Sequence, residues 1–285
     1  MAIIIPVVSL LGLSTILFIA IRARRKFPRK LIYEQAVAKI EGGGIKRGLT
    51  PPEAAVVLGR PYSQIATLVI LQLLRKNVLE IIKAESLAVR VASKYSFISN
   101  NKTAEERANE RNLAAQVSSV VLYPYEHLFI EYLDQKSLKT LIEINFDVLL
   151  KPFVLHVANR IVGYDFGETR RYYEAIIRRS PVEARTEGKL VFDAGKIVEK
   201  NILWILMHEN ADQLLSEDFR DYLPGWINKE NDDQAFENFY DWYGNAKEQI
   251  QSNITAKEIG EKLLEASSPL IDRMYADIIQ ATING

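Results

Sequence analysis

The sequence predicts a mainly α-helical protein with an N-terminal single transmembrane helix, a small α+β module and a C-terminal α-helical domain. Three patterns support this prediction: an uncharged apolar run, two helical segments followed by a hairpin, and helical spacing of apolar residues in the second half. The predicted boundaries are 1–22 for the transmembrane helix, 23–45 for a basic juxtamembrane linker, 46–95 for the α+β module and 96–285 for the helical domain.

The apolar run covers residues 2–21 and contains no charged side chain. About 20 helical residues extend roughly 30 Å, which matches the hydrocarbon core of a bilayer. Six cations follow within nine residues and mark the cytoplasmic flank: Arg22, Arg24, Arg25, Lys26, Arg29 and Lys30. A cleaved signal peptide would carry its cations before the run, so a retained anchor is favoured. A buried helix of a soluble protein remains the alternative.

This orientation predicts a cell-membrane protein whose N-terminus is outside and whose later domains are cytoplasmic, with the lipid bilayer as one partner. The formal net charge is zero, yet residues 1–100 carry 15 Lys and Arg against 5 Asp and Glu. The remaining residues carry 21 against 31. The basic first part suggests proximity to an anionic surface.

The α+β module begins with strong helix-start signals. Thr50 is a candidate N-cap, Pro51 suits the first helical position, and Gly59 ends this short helix. A second helix is predicted from about Ser63 to Lys76. The segments VLEIIK and SLAVRV then alternate apolar and polar residues, which predicts a β-hairpin. Two helices followed by a two-stranded ribbon indicate a winged-helix-like module.

The stretches LTPPEAAVVLGR and ATLVILQLLRKNVLEI resemble a family of uncharacterised prokaryotic predicted membrane proteins that has a winged-helix-like cytoplasmic module. The resemblance extends from the anchor to about residue 91, and more loosely to RRYYEAIIRRSPVEART and ILWILMHEN. This sequence has Lys76 and Asn77 where the family usually has a glycine turn. The resemblance implies an architecture and no particular reaction.

A helix that reads DNA must present polar or basic side chains to the bases. Between Ile65 and Leu74 only Thr67 and Gln72 are polar, so the second helix is predicted to be buried and nucleic acid is not expected as a partner. A membrane-tethered transcription regulator remains the alternative, because six cations could line one phosphate-facing edge: Arg47, Arg60, Arg75, Lys76, Lys83 and Arg90.

The helical domain is predicted from a capping box at Thr103 and Glu106 and from later segments with helical spacing. Ser137 is expected to cap a helix that leads to Pro152, and a separate helix is expected over residues 153–162. Further helices are expected from Thr169, over residues 194–209 and from about residue 255.

The residue types offer little for catalysis. The chain has no Cys, which excludes disulfides, thiolate metal sites and Cys nucleophiles. His127, His156 and His208 are scattered, and none has the spacing of a zinc motif. We expect His127 and His156 to be partly buried and hydrogen-bonded. We therefore predict no cofactor, no metal, no small-molecule substrate and no enzymatic activity, although an enzyme with an unrecognised site stays as a third reading.

Residues 217–243 combine aromatic and acidic side chains. Aromatic residues with a polar rim are enriched at protein interfaces, although the same pattern also covers helical cores. The candidate docking surface consists of Trp226, Phe239, Tyr240, Trp242 and Tyr243. The expected function is a membrane-anchored cytoplasmic interaction protein, either a scaffold or an assembly subunit, that binds a protein partner or a membrane complex.

Overall fold

A computed structural model describes most of the chain after the predicted linker. The described residues are 43–83, 88–97, 102–135, 139–140, 144–188, 194–219, 239–252 and 269–284. The predicted transmembrane helix and its six flanking cations lie outside these ranges. Among the helices within the ranges, none combines the length and the apolar character needed to span a bilayer.

The described part of the chain is mainly helical, as predicted. Its helices are α1 (Pro51–Val57), α2 (Tyr62–Arg75), α3 (Ala104–Val117), α4 (Pro124–Asp134), α5 (Asp147–Ile161), α6 (Phe166–Gly188), α7 (Ala194–Ile205), α8 (Ala211–Gln213), α9 (Phe239–Ser252) and α10 (Pro269–Asn284). A π-helical turn (Leu214–Asp218) extends α8, and a 3-10 turn (Ser93–Tyr95) precedes α3. The strands are β1 (Leu79–Lys83), β2 (Ala88–Val91) and β3 (Lys139–Thr140).

Helix α2 lies at the centre of the core. Every side chain from Ile65 to Leu74 is buried, which confirms the burial predicted from its apolar sequence. Its neighbours include α1, α7, α9 and α10, which come from both ends of the described chain. Lys46–Gly285 accordingly forms one compact unit. The predicted boundary after residue 95 stays a prediction.

The hairpin that follows α2 is present, with antiparallel pairs such as Leu79 with Val91. A third strand, β3, pairs with β2 through Thr140 opposite Ala88. The prediction of a helix running from Ser137 towards Pro152 is therefore wrong for its first part. A free edge of β2 offers unpaired backbone groups, and satisfying them outweighs the helical spacing of the nearby apolar residues.

Two predicted helix boundaries also differ from the structure. Helix α5 continues through Pro152, its sixth residue, instead of breaking there. The buried side chains on either side, Leu150 and Phe153, pack into the core, and this packing outweighs the backbone hydrogen bond that the proline cannot donate. Helix α6 begins at Phe166, ahead of the predicted Thr169. The Asp165 carboxylate accepts a hydrogen bond from the Glu168 N–H (2.7 Å) and so satisfies the first turn.

The C-terminal helix α10 completes the start of α2. Pro61 occupies the N-cap position of α2 and offers no side-chain hydrogen bond. The Tyr62 N–H instead donates to the Thr282 hydroxyl (3.0 Å), which itself donates to the Ile278 carbonyl (2.7 Å). Tyr62 and Thr282 are both buried, so no solvent replaces this contact. A side chain 220 positions away therefore acts as the cap of α2.

Thr282→Val is expected to lower the free energy of unfolding by about 1–2 kcal/mol, because the buried Tyr62 N–H loses its acceptor while the side-chain volume is kept. Urea unfolding of the detergent-purified chain measures the effect. Thr67→Val is the matched control, since the buried Thr67 hydroxyl only donates to the Ser63 carbonyl within α2. Equal losses for the two variants would contradict the capping role.

Candidate functional site

A continuous set of buried polar groups links α1, α2, α4 and α5. Its two charged centres are the carboxylates of Glu53 on α1 and Glu126 on α4, each with no exposed surface. Such groups are stable inside a protein only when donors surround them. We call these two residues and their hydrogen-bond partners the polar network.

Glu53 forms the first centre. One carboxylate oxygen accepts hydrogen bonds from the Thr50 N–H (2.8 Å) and the Thr50 hydroxyl (2.9 Å). The other accepts from the His156 Nε2 (3.0 Å) and from the Arg160 guanidinium. Burial alone would raise the pKa of Glu53, but these donors together hold its pKa below the usual range. Glu53 is therefore a carboxylate at neutral pH.

Tyr125 and Gln72 connect the two carboxylates. The Thr50 hydroxyl lies 2.9 Å from the Tyr125 hydroxyl, and the Gln72 amide nitrogen donates to the same tyrosine oxygen (2.5 Å). The second amide hydrogen of Gln72 is directed at Glu126 (2.6 Å). Burial raises the pKa of Tyr125 well above its usual range, so the phenol stays protonated. The Gln72 amide therefore donates hydrogen bonds to the Glu53 side of the network, through Tyr125, and to Glu126.

Glu126 forms the second centre. Its carboxylate lies 2.6 and 2.7 Å from the Lys76 ammonium, and it also accepts the Tyr123 N–H (2.7 Å) at the start of α4. The Lys76 ammonium lies 4.4 Å from the centre of the Tyr123 ring. Burial lowers the pKa of Lys76, and the charge of Glu126 opposes that shift. The pair fixes the end of α2 to the start of α4.

The polar network stabilises the packing of α1, α2, α4 and α5 against one another. Both carboxylates accept several hydrogen bonds from protein donors, and the groups that connect them are buried. Only the outer donors His156, Arg160 and Lys76 are partly exposed, at 20%, 27% and 14% of their side chains. Among the described residues, no group of three or more His, Cys, Asp or Glu side chains could hold a metal ion. The geometry explains how four elements are held together.

Glu53→Gln is expected to cost about 2–4 kcal/mol of unfolding free energy at pH 7, because its buried donors lose a charged acceptor. The pKa of Glu53 is lower in the folded chain than its ordinary value of about 4.5. The unfolded chain therefore binds the proton first, so the stabilisation is complete above about pH 4.5 and is lost as the pH falls through the folded pKa.

Urea midpoints of the wild type and of Glu53→Gln, measured from pH 7 to pH 3, should therefore converge at acidic pH. Glu80→Gln is the control, because Glu80 pairs with Arg90 on the exposed face of the hairpin and its loss should change little. A constant difference across this pH range would contradict the assignment.

A small open cleft of about 190 Å³ lies where α6 meets the end of α7. It is lined by Arg60, Glu174, Ile177, Arg178, His208 and Glu209. The Arg60 guanidinium donates to the Met207 carbonyl (2.8 Å), and burial lowers its pKa. Two arginines face two glutamates in the cleft, so its charge is balanced. The cleft is smaller than the usual 300–1,000 Å³ of ligand pockets.

The predicted site residues are only partly covered by the described ranges. Trp226 lies outside them, and Phe239, Tyr240 and Trp242 belong to the first turn of α9. Tyr243 is 3% exposed and belongs to the core, so its ring contributes no accessible surface. The docking surface as a whole stays a prediction. His127 and His156 are partly buried and hydrogen-bonded, as expected: His127 contacts Asn112 (3.0 Å) and His156 contacts Glu53.

The structure also shows an exposed apolar surface that the sequence analysis did not identify. Leu113, Val117 and Val121 expose 61%, 90% and 66% of their surface at the end of α3 and in the following turn. We call these three residues the α3 patch. Leu113 and Val117 are four positions apart, and Arg111 and Ala115 on the opposite side of α3 are buried. The four-residue spacing of Leu113 and Val117, which places them on one face of a helix, was the sequence signal that could have identified this surface.

Comparison with protein-family models, with curated proteins and with solved structures found no match to this chain.

Proposed function

We propose that this chain is a membrane-anchored cytoplasmic adaptor or assembly subunit that acts by binding a protein partner. The proposal combines the predicted anchor and its cationic flank with the burial of α2. The burial of α2 is the observation that favours an adaptor over a DNA-binding protein, because a buried α2 cannot serve as the recognition helix by which a winged helix reads DNA. The resemblance to uncharacterised prokaryotic membrane proteins supports the same architecture.

The alternative function, a tethered transcription regulator, requires cations that are available to phosphates. Several of the six candidates already contact protein groups. Lys76 pairs with Glu126, Arg90 pairs with Glu80, and Arg60 donates to the Met207 carbonyl. Arg75 lies 3.3 Å from the Glu199 carbonyl, and the Arg47 guanidinium lies 5.5 Å from the centre of the Tyr172 ring. These contacts favour the adaptor over the regulator.

The α3 patch supports protein binding. Three aliphatic side chains at one end of an otherwise polar helix leave apolar surface in contact with water, and association with a partner removes that surface. The patch is small, so we expect it to form part of a larger interface. The candidate docking surface around α9 remains a second place for such contacts.

The absence of cysteine allows a direct test, because one introduced cysteine is the only thiol of the chain. Val117→Cys, carrying a photo-crosslinker, should give a discrete adduct in native membranes, and mass spectrometry identifies the partner. Val182→Cys on α6 is the matched control, since Val182 is also exposed. The adduct should disappear when Leu113→Lys is added.

Identical adduct patterns at residues 117 and 182, or an adduct that survives Leu113→Lys, would contradict a specific protein interface at the α3 patch. The regulator is tested separately with genomic DNA fragments. Retardation of defined fragments by the purified chain at physiological salt, where non-specific binding is weak, would favour the regulator over the adaptor.

A further inference from the structure

Residues 46–50, which we call the leading segment, are held firmly against α5 and α6. The Lys46 N–H donates to the Thr169 hydroxyl (3.0 Å), and the Leu49 N–H donates to the Tyr173 hydroxyl (2.8 Å). The Arg160 guanidinium donates to the Gly48 carbonyl (3.1 Å). The place where the chain enters the folded unit is therefore fixed relative to the turn that connects α5 and α6.

That turn exposes an aliphatic and an aromatic side chain next to the leading segment. Val162 is 66% exposed and Tyr164 is 40% exposed. The Lys46 ammonium lies 4.6 Å from the centre of the Tyr164 ring. A tyrosine with an apolar ring and a polar hydroxyl suits the boundary between headgroups and acyl chains, and a lysine beside it suits the headgroup layer.

Two cations near this turn have no carboxylate partner among the described residues. The Arg273 guanidinium lies 5.1 Å from the centre of the Phe166 ring, and within the described ranges neither Arg273 nor Lys46 has a carboxylate at ion-pair distance. Three neighbouring acids are engaged: Asp165 caps α6, Glu168 pairs with Arg171, and Asp277 pairs with Arg170. Asp272, next to Arg273 in the first turn of α10, is exposed and offsets one of these cations. Cations beside exposed apolar groups favour an anionic lipid surface.

We propose that the surface formed by Lys46, Val162, Tyr164 and Arg273 docks onto the anionic headgroups of the membrane that holds the predicted anchor. The proposal rests on the proposed membrane anchoring. The chain from the predicted transmembrane helix reaches the folded unit at Lys46, and the intervening 23 residues extend at most about 80 Å. Tethering therefore keeps the cationic turn at a high local concentration near the lipid surface.

The test uses the full chain reconstituted into vesicles, with Val162→Cys carrying an environment-sensitive fluorophore and a lipid whose headgroup carries a nitroxide quencher. We expect at least two-fold stronger quenching in vesicles that contain phosphatidylglycerol than in phosphatidylcholine vesicles. Adding Lys46→Glu and Arg273→Glu should remove the difference. Val182→Cys is the matched control, because Val182 is also exposed but lies on α6 about 24 Å from the start of that helix, which adjoins the turn.

Equal quenching at residues 162 and 182, or quenching at residue 162 that is independent of anionic lipid, would overturn the proposal. Because the vesicles contain no other protein, a quenched fluorophore reports lipid and not a protein partner. Carbonate extraction of the same vesicles distinguishes failure of the membrane anchor from failure of the docking surface. Removal of the chain by carbonate contradicts the anchor, whereas an unquenched residue 162 on a carbonate-resistant chain contradicts the docking surface alone.

Discussion

Gly59→Ala is expected to lower the free energy of unfolding by about 3 kcal/mol, because two separate costs fall on one methyl group. Gly59 has a φ of +63°, a conformation that disfavours any residue with a Cβ. A Cβ at this position would also lie 2.6 Å from the Cβ of Asp277 on α10. That atom is fixed to the helix backbone, so α10 itself would have to move.

Gly48→Ala separates these two costs. Gly48 also has a positive φ, +73°, but a Cβ there meets nothing within 4 Å. Its substitution carries the conformational cost alone, about 1–2 kcal/mol. Urea unfolding of both variants in the detergent-purified chain gives the cost of the contact as the difference. If Gly59→Ala is no more destabilising than Gly48→Ala, the close approach of α10 to this turn is not a feature of the folded protein.

Arg111→Met is expected to cost about 3–5 kcal/mol, since it leaves buried acceptors without their cation. Arg111 is 1% exposed, and its guanidinium contacts Glu131 (2.7 Å), Asp134 (2.7 Å) and the Tyr95 carbonyl (3.0 Å). These contacts join α3, α4 and the turn after β2. Burial alone would raise the pKa of Glu131, but its bonds to Arg107 and Arg111 lower that pKa overall.

Two further variants make this prediction specific. Arg107→Met removes another partner of Glu131 from the same helix at a more exposed position, and it should cost clearly less. Combining Arg111→Met with Asp134→Leu removes both charges of the most buried pair and should recover part of the loss. Urea unfolding measures these variants together with the single Asp134→Leu variant, which completes the double-mutant cycle. A double variant as unstable as the sum of its single variants would show that the two residues do not interact.

The features of the fold that depend on residues close together in the sequence could be predicted. The N-cap residue Thr50 of α1 and the capping box of Thr103 and Glu106 at α3 occupy the predicted positions, because the contacts they make span only three residues. The apolar sequence of α2 correctly indicated burial of most of its surface. The hairpin was also predictable, since alternation in two neighbouring segments needs no distant partner.

Contacts between distant segments were not predictable from these patterns. The sequence does not show that Thr282 caps α2 or that β3 extends the hairpin, because both depend on which remote segment reaches an unsatisfied backbone group. The same reason applies to the polar network. Glu53 lies in the first turn of one helix and His156 within another, and their mutual contact spans 103 positions and requires the packed helices.

The trans cap of α2 has a consequence for synthesis on the ribosome. Translation produces α10 after every other described helix, so the Tyr62 N–H lacks its native acceptor, and the Gly59 turn lacks its cover, while the rest of this unit is emerging. The nascent chain cannot complete its central helix until the last of these helices leaves the exit tunnel. Chaperones therefore have a defined interval in which the buried face of α2 is accessible to them.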